Sequence, residues 1–292
     1  MYYVVKGFLW LISLLPLQVL YLFSEAFYGL AFYVVRYRKA VVLGNLQIAF
    51  PEKTEKERLR IAKQFYRNFI ESFIESVKLL SMSRRQIEKH SQGDFEEINQ
   101  LAAKGKNIHV MAGHQFNWEF GNLLYALNLR IPFVGIYMPI SNKILDRVFF
   151  NLRKRYGTIL ISAQDFKHKR FEVFSKQYTI GLAADQNPGD PSNAYWMNFM
   201  GKPAPFVTGP AKGAVRNNTA VMMIGFKKLK RGHYRFTAKL ITEDGSRFKP
   251  EELTLMYKNM LEEIIREDPA NYLWSHRRWK YNWKPEYGEI FG

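Results

Sequence analysis

Residues 107–122 read NIHVMAGHQFNWEFGN. NIHVMAG (107–113) has the length of a buried strand, and the residues from Trp118 to about Leu127 carry a helical pattern, so the stretch reads as strand, turn and helix. The alternation continues outward from it. FVGIYM (133–138) is a second strand, and Ser141 is placed to cap a helix carrying Ile144, Leu145, Val148, Phe149 and Leu152 that stops at Gly157. TILIS (158–162) and YTIGLAAD (178–185) are further strands. AVMMIGF and HYRFTAKLI flank a basic turn as a hairpin, and Pro250 opens a last helix with Leu253, Met256, Tyr257, Met260, Leu261, Ile264 and Ile265 at its apolar positions. Upstream, Thr54 and Glu57 form a capping box before a long amphipathic helix through Ala62, Phe65, Tyr66, Phe69, Ile70, Phe73, Ile74 and Val77. Strands interleaved with helices predict an α/β fold with a mostly parallel central sheet flanked by helices. No internal repeat, low-complexity tract or Gly/Ser linker divides residues 39–292, which read as one domain after an N-terminal element, 1–38.

Ligands in such folds gather beyond the carboxyl ends of the strands, which is where Gly113 and His114 emerge. Glu119 follows His114 by five positions, and on an uninterrupted helix residues so spaced point about 140° apart. With the histidine on the turn and the glutamate in the first helical turn they can meet. The carboxylate would then fix the imidazole tautomer and leave the other ring nitrogen to take a proton from a hydroxyl. Such a pair, without a Ser or Cys nucleophile, suits direct transfer in which the acceptor hydroxyl attacks. The bland alternative is a hydrogen-bonded structural histidine. His90, His109, His168, His233 and His276 show no metal-ligand spacing, and neither a metal nor a cofactor is expected. On spacing alone Arg153, Lys154 and Arg155 read as a solvated helix end, and Asp185-Gln186-Asn187-Pro188-Gly189 as a turn.

Charge and hydropathy narrow the setting. The 292 residues carry 43 Lys+Arg against 26 Asp+Glu, a net +17, which favours an anionic partner: nucleic acid, an anionic membrane, a phosphorylated substrate or an acidic carrier protein. The absence of cysteine excludes disulfides, thiolate metal sites and cysteine nucleophiles. From Gly7 to Phe23 the chain carries no charge, and between Lys6 and Arg36 the one formal charge is Glu25. That is close to bilayer length, interrupted at Pro16, so residues 1–38 read as a hydrophobic membrane-anchor helix that spans or lies re-entrant. If the segment spans, Arg36, Arg38 and Lys39 place the bulk of the chain in the cytoplasm. The competing readings are a signal peptide cleaved near Ser24-Glu25-Ala26 and a buried core helix.

HQFNWE (114–119) resembles the His, four residues, acid motif of glycerolipid-type acyltransferases, and most nearly the HFGNWE form of the late, or secondary, lipid A biosynthesis acyltransferases. Further blocks are similar to that family in its own order: NLQIAFPEKTEKER (45–58), NLRKRYG (151–157), AADQNPGD, NFMGKPAPFVTGPAKGA (198–214) and NYLWSHRRWK (271–280). They extend from about residue 40 to 285, and Gln115-Phe116 departs from the usual Phe-Gly. The resemblance implies a glycerolipid-acyltransferase-like fold in an inner-membrane enzyme working at the cytoplasmic face. It implies transfer of a fatty acyl chain from acyl carrier protein to a hydroxyl of a lipid A precursor. His114 would be the general base and Glu119 its partner. Asn117, Arg153, Arg155 and Asp185 would bind substrate, the arginines meeting phosphates or the developing oxyanion. Two other readings stay open: an acyltransferase for a lysophospholipid or aminoacyl lipid, and a non-enzymatic basic membrane-associated protein. No nucleic-acid recognition module is visible, and no nucleic-acid partner is expected.

Overall fold

In the computed structural model, which describes residues 1–166, 168, 169 and 174–292, the N-terminal apolar stretch is two helices rather than one. They are α1 (Tyr2–Leu14) and α2 (Leu17–Gly29), the latter continuing as a π-helical turn, Leu30–Val34. Pro16 removes a helical N–H, and Leu15 and Pro16 adopt extended ψ angles of 145° and 144° between them. Leu17–Val34 is long and apolar enough to cross a membrane by length and composition, with mean hydropathy 1.3. After α3 (Lys39–Ala49), the Thr54 and Glu57 capping box starts α4 (Glu55–Lys78) as expected. The helix α2 lies along α4. Lys78 donates to the carbonyls of Ser13 and Leu15, Tyr21 to Glu75, and Glu25 faces Arg67 at 3.6 Å.

The chain continues through α5 (Arg84–His90), β1 (Ser91–Gly93), α6 (Glu96–Ala103), β2 (Ile108–Ala112), α7 (Trp118–Asn128), β3 (Phe133–Tyr137), α8 (Lys143–Arg153) and β4 (Ile159–Ser162). It then runs through β5 (Thr179–Ala183), the hairpin β6 (Ala194–Phe199) and β7 (Lys202–Val207), and α9 (Gly209–Arg216). The hairpin β8 (Ala220–Lys230) and β9 (His233–Thr242), α10 (Pro250–Glu267) and β10 (Ile290–Phe291) complete it. Described residues form a seven-stranded sheet in the order β1-β9-β8-β2-β5-β3-β4, parallel except between β8 and β9, and a small sheet β10-β6-β7. The expected α/β class and mostly parallel sheet are present. The helix expected after Ser141 starts one residue later, capped by Asn142, and its last turn reaches Gly157 at φ 96°. The small sheet was not legible, because Pro203, Pro205 and the turn at Met200-Gly201 mask its alternation.

Successive residues of the central strands face opposite layers. Met111 and Met223 pack with Phe65 of α4, Ala211 of α9 and Leu261 of α10 in one core cluster. Val110 and Met222 pack with Ile98 of α6 and Leu123 of α7 in another. With both faces covered, β2 is buried along four of its five residues and is apolar except at the buried His109.

Candidate active site

β2 and β5 pair in parallel with Ala112 opposite Ala183. His114 and Asp185 each lie two residues further on, so the register itself sets them side by side at the carboxyl ends of adjacent strands. Asp185 Oδ2 accepts the His114 backbone N–H at 3.0 Å, and its Oδ1 lies 2.6 Å from His114 Nδ1. The Asp185 side chain is 1% exposed and that of His114 27%, and Nε2 has no hydrogen-bond partner among the described residues. Burial disfavours the imidazolium, but the Asp185 charge and hydrogen bond outweigh it and raise the His114 pKa above its ordinary 6.5. Burial likewise disfavours the Asp185 carboxylate, yet His114 and the backbone donors hold its pKa down at about 2. A tautomer fixed by a buried carboxylate, with the second nitrogen open, is a proton acceptor for a hydroxyl.

The carboxylate on the imidazole is therefore that of Asp185 and not of Glu119, which corrects the expected pairing. Glu119 stands at the second position of α7, where a carboxylate favours the helix dipole. It is gripped in a fork by Arg153 from the end of α8: Nε lies 3.1 and 3.0 Å from its two oxygens and Nη2 lies 2.5 Å from one. The pair is largely buried, Glu119 at 5% and Arg153 at 17% side-chain exposure. Arg153 loses hydration, but the Glu119 charge more than compensates and raises its pKa. Its Nη1 has no hydrogen-bond partner among the described residues.

Asn117 and Arg155, expected to bind substrate, both have partners within the protein. Asn117 is buried and caps α7, its Oδ1 accepting the Glu119 N–H at 3.1 Å while Nδ2 donates into the protein. Arg155 points elsewhere, donating to the Leu79 carbonyl at 3.0 Å with its guanidinium over Tyr156.

The C-terminal segment braces both halves of the site. His114 C=O accepts from Leu273 N–H at 3.0 Å, Gln115 pairs with Tyr272 by a β-bridge, and Tyr257 donates to Ala112 C=O at 2.9 Å. Behind Asp185, Asn187 N–H donates to His276 Nε2 at 3.3 Å, and Asn187 Oδ1 accepts from the buried Arg278 at 2.8 Å. Accepting that N–H requires a neutral ring; burial, with the Arg278 charge, pushes the His276 pKa down to about 4. Asn45 holds the same segment by donating to the Trp274 and His276 carbonyls at 2.8 and 2.7 Å. Sequence reasoning missed the pairing of Asp185 with His114 and the bracing by Asn45, His276 and Arg278. The equal offset of His114 and Asp185 from their strand ends was a usable signal, but it becomes readable only once β2 and β5 are known to be neighbours.

Residues 1–281 match the family model described as bacterial lipid A biosynthesis acyltransferase. The chain is similar to the lipid A biosynthesis lauroyltransferase of Escherichia coli (strain K12), 24% identical over 276 residues covering 94% of this chain and 89% of the relative. It is also similar to the lipid A biosynthesis acyltransferase of Haemophilus influenzae, 24% identical over 83% of this chain and 78% of the relative. The lipid A biosynthesis palmitoleoyltransferase of Escherichia coli (strain K12) is 22% identical over 94% of this chain and 89% of its own length.

Proposed function

The chain belongs to the bacterial lipid A biosynthesis acyltransferase family, and from that premise we propose that it transfers a fatty acyl chain from acyl carrier protein to a hydroxyl of a phosphorylated lipid A precursor. The observation that carries the chemistry is the Asp185-bound His114 with its open Nε2. Nε2 takes the proton of the acceptor hydroxyl as that oxygen attacks the thioester carbonyl. The tetrahedral intermediate collapses with cleavage of the C–S bond, and the imidazolium returns the proton to the departing thiolate. Asp185 holds the tautomer and stabilises the imidazolium; a base of this kind contributes about 10²–10⁴-fold. Arg153, fixed by Glu119, turns its remaining donor to a precursor phosphate or to the oxyanion. Glu119 thus serves as the arginine's holder. The α/β sheet and the His, four residues, acid spacing support a place among glycerolipid-type acyltransferases.

Residues 1–38 attach the enzyme to the membrane in this reading, with residues 39–292 as the acyltransferase domain at the cytoplasmic face of the inner membrane. Phe8 and Leu11 on α1, Leu22 and Phe23 on α2 and Val34 on the π-helical turn are exposed, an apolar surface suited to lipid. A helix held along α4 from Lys78 to Arg67 cannot cross a bilayer without taking α4 with it. Insertion in the plane of one leaflet is therefore the form of attachment we favour. The net charge of +17 suits an acidic carrier and a phosphorylated acceptor alike.

The test is the mass of lipid A extracted from cells lacking the protein. The expected result is the loss of one acyl chain, restored by the native chain and not by Asp185→Asn. An unchanged lipid A pattern would overturn the choice of acceptor in favour of a lysophospholipid or an aminoacyl lipid.

A further inference from the structure

Glu75 of α4 lies outside the cluster just described, yet it is 1% exposed and collects donors from three separate elements. Tyr21 of α2 donates to Oε1 at 2.9 Å; Tyr234 of β9 and Asn117 Nδ2 donate to Oε2 at 2.5 and 3.1 Å. An asparagine amide is nearly the same shape either way round, so its partners decide which end faces which neighbour. With the Glu75 acceptor behind it, and the Ser72 carbonyl at 3.4 Å, Asn117 must turn Nδ2 inward. Oδ1 is then left facing the Glu119 N–H, the orientation that caps α7. Tyr21 belongs to the N-terminal helical pair and, at 9% exposure, closes the carboxylate off from solvent. The surroundings reinforce the seat: Arg231 reaches Glu71 at 2.6 Å and Glu25 at 2.7 Å, and Lys228 pairs with Glu71.

We infer that Glu75 is a positioning residue for the active-site turn, and that Tyr21 makes its hold depend on the N-terminal helical pair being seated on α4. The chain of contacts runs from Tyr21 to Glu75, to the Asn117 cap, to Glu119 at the start of α7 and so to Arg153. His114 and Asp185 are not part of it. Seating of the lipid-facing helices is thereby transmitted to the arginine and not to the base. The effect on rate rests on the acyl-transfer reading; the effect on the turn does not.

Hydrogen exchange of residues 117–121 tests it on the full chain. In Tyr21→Phe, exchange of this segment rises about tenfold, the order expected for losing one hydrogen bond to a buried carboxyl group, while β2 and β5 keep their protection. Glu75→Leu raises it further, and Glu75→Gln, whose amide oxygen still accepts from Asn117, stays within about threefold of the native chain on the same scale. In acyl transfer, Tyr21→Phe lowers kcat/KM and leaves the pH midpoint of the rate where it was. Unchanged exchange at 117–121 in both Tyr21→Phe and Glu75→Leu overturns the inference. So does a rise spread evenly over the sheet, which would mean general destabilisation only. Should Glu75→Leu fail to fold, Tyr21→Phe and Glu75→Gln decide between the same outcomes. A native chain without acyl transfer would sink the functional reading, whereas the exchange comparison would still judge the positioning role.

Discussion

At the scale of single residues, the site separates two carboxylates by their partners: Asp185 serves the imidazole and Glu119 the guanidinium. With His114 as the proposed base, needed in its neutral form, activity should therefore rise with pH through a midpoint above 6.5, because the Asp185 charge, against the pull of burial, raises its pKa. In Asp185→Asn that charge is gone and burial remains, so the midpoint should drop below 6.5 and kcat/KM should fall about 10²–10⁴-fold. Stability carries the matching sign. The Asp185 pKa is depressed to about 2, so its contribution is fully present above the unfolded value of about 3.9 and is lost as pH falls through the folded one. Denaturant melts should show Asp185→Asn costing more at pH 6 than at pH 2. Glu119→Ala leaves the largely buried Arg153 unpaired and should cost about 3–5 kcal/mol in urea unfolding. Pairing it with Arg153→Met should recover most of that stability and none of the activity. Equal melting of the single and double variants would sink this account of the pair.

At the scale of elements, the N-terminal helices make a geometric prediction. The chain has no cysteine, so a single one introduced at Tyr3→Cys or at Tyr37→Cys is a unique label. In-plane attachment expects an impermeant maleimide to reach both from the cytoplasmic side of membrane vesicles; labelling of residue 3 only from the opposite side would establish a span. Which elements were legible follows from their physics. The strand at 107–113, the helix from Trp118 and the capped helix from Thr54 were readable because a buried run or a cap is written in contiguous residues. The break at Pro16 was also visible, but the seating of α2 along α4 depends on Lys78, Glu75 and Arg67, whose spacing says nothing of α2 until the two helices are docked. The pairing of His114 with Asp185 was hidden for the same reason. Glu119 is five positions from His114 in the chain and Asp185 is 71, yet the parallel register makes the distant residue the neighbour.

At the scale of the whole molecule, the proposed attachment combines the apolar face with the net charge of +17, which would act together at an anionic lipid surface. Flotation with anionic vesicles should weaken as salt rises from about 0.05 to 0.5 M, because screening at a Debye length of roughly 4–14 Å removes the charge term and leaves the apolar one. Binding indifferent to salt would assign attachment to the helices alone. The C-terminal segment from Tyr272 to Arg278 braces the turn that carries His114. The central claim is that His114, held by Asp185, is the base of an acyl transfer to a lipid A precursor. Its most direct test is a mass spectrum of the lipid product after vesicles carrying the native chain, Asp185→Asn or His114→Ala receive long-chain acyl carrier protein and an under-acylated, phosphorylated precursor. A gain of one acyl chain with the native protein, reduced about 10²-fold or more in both variants, is the expected result. An equal gain with all three would contradict the account.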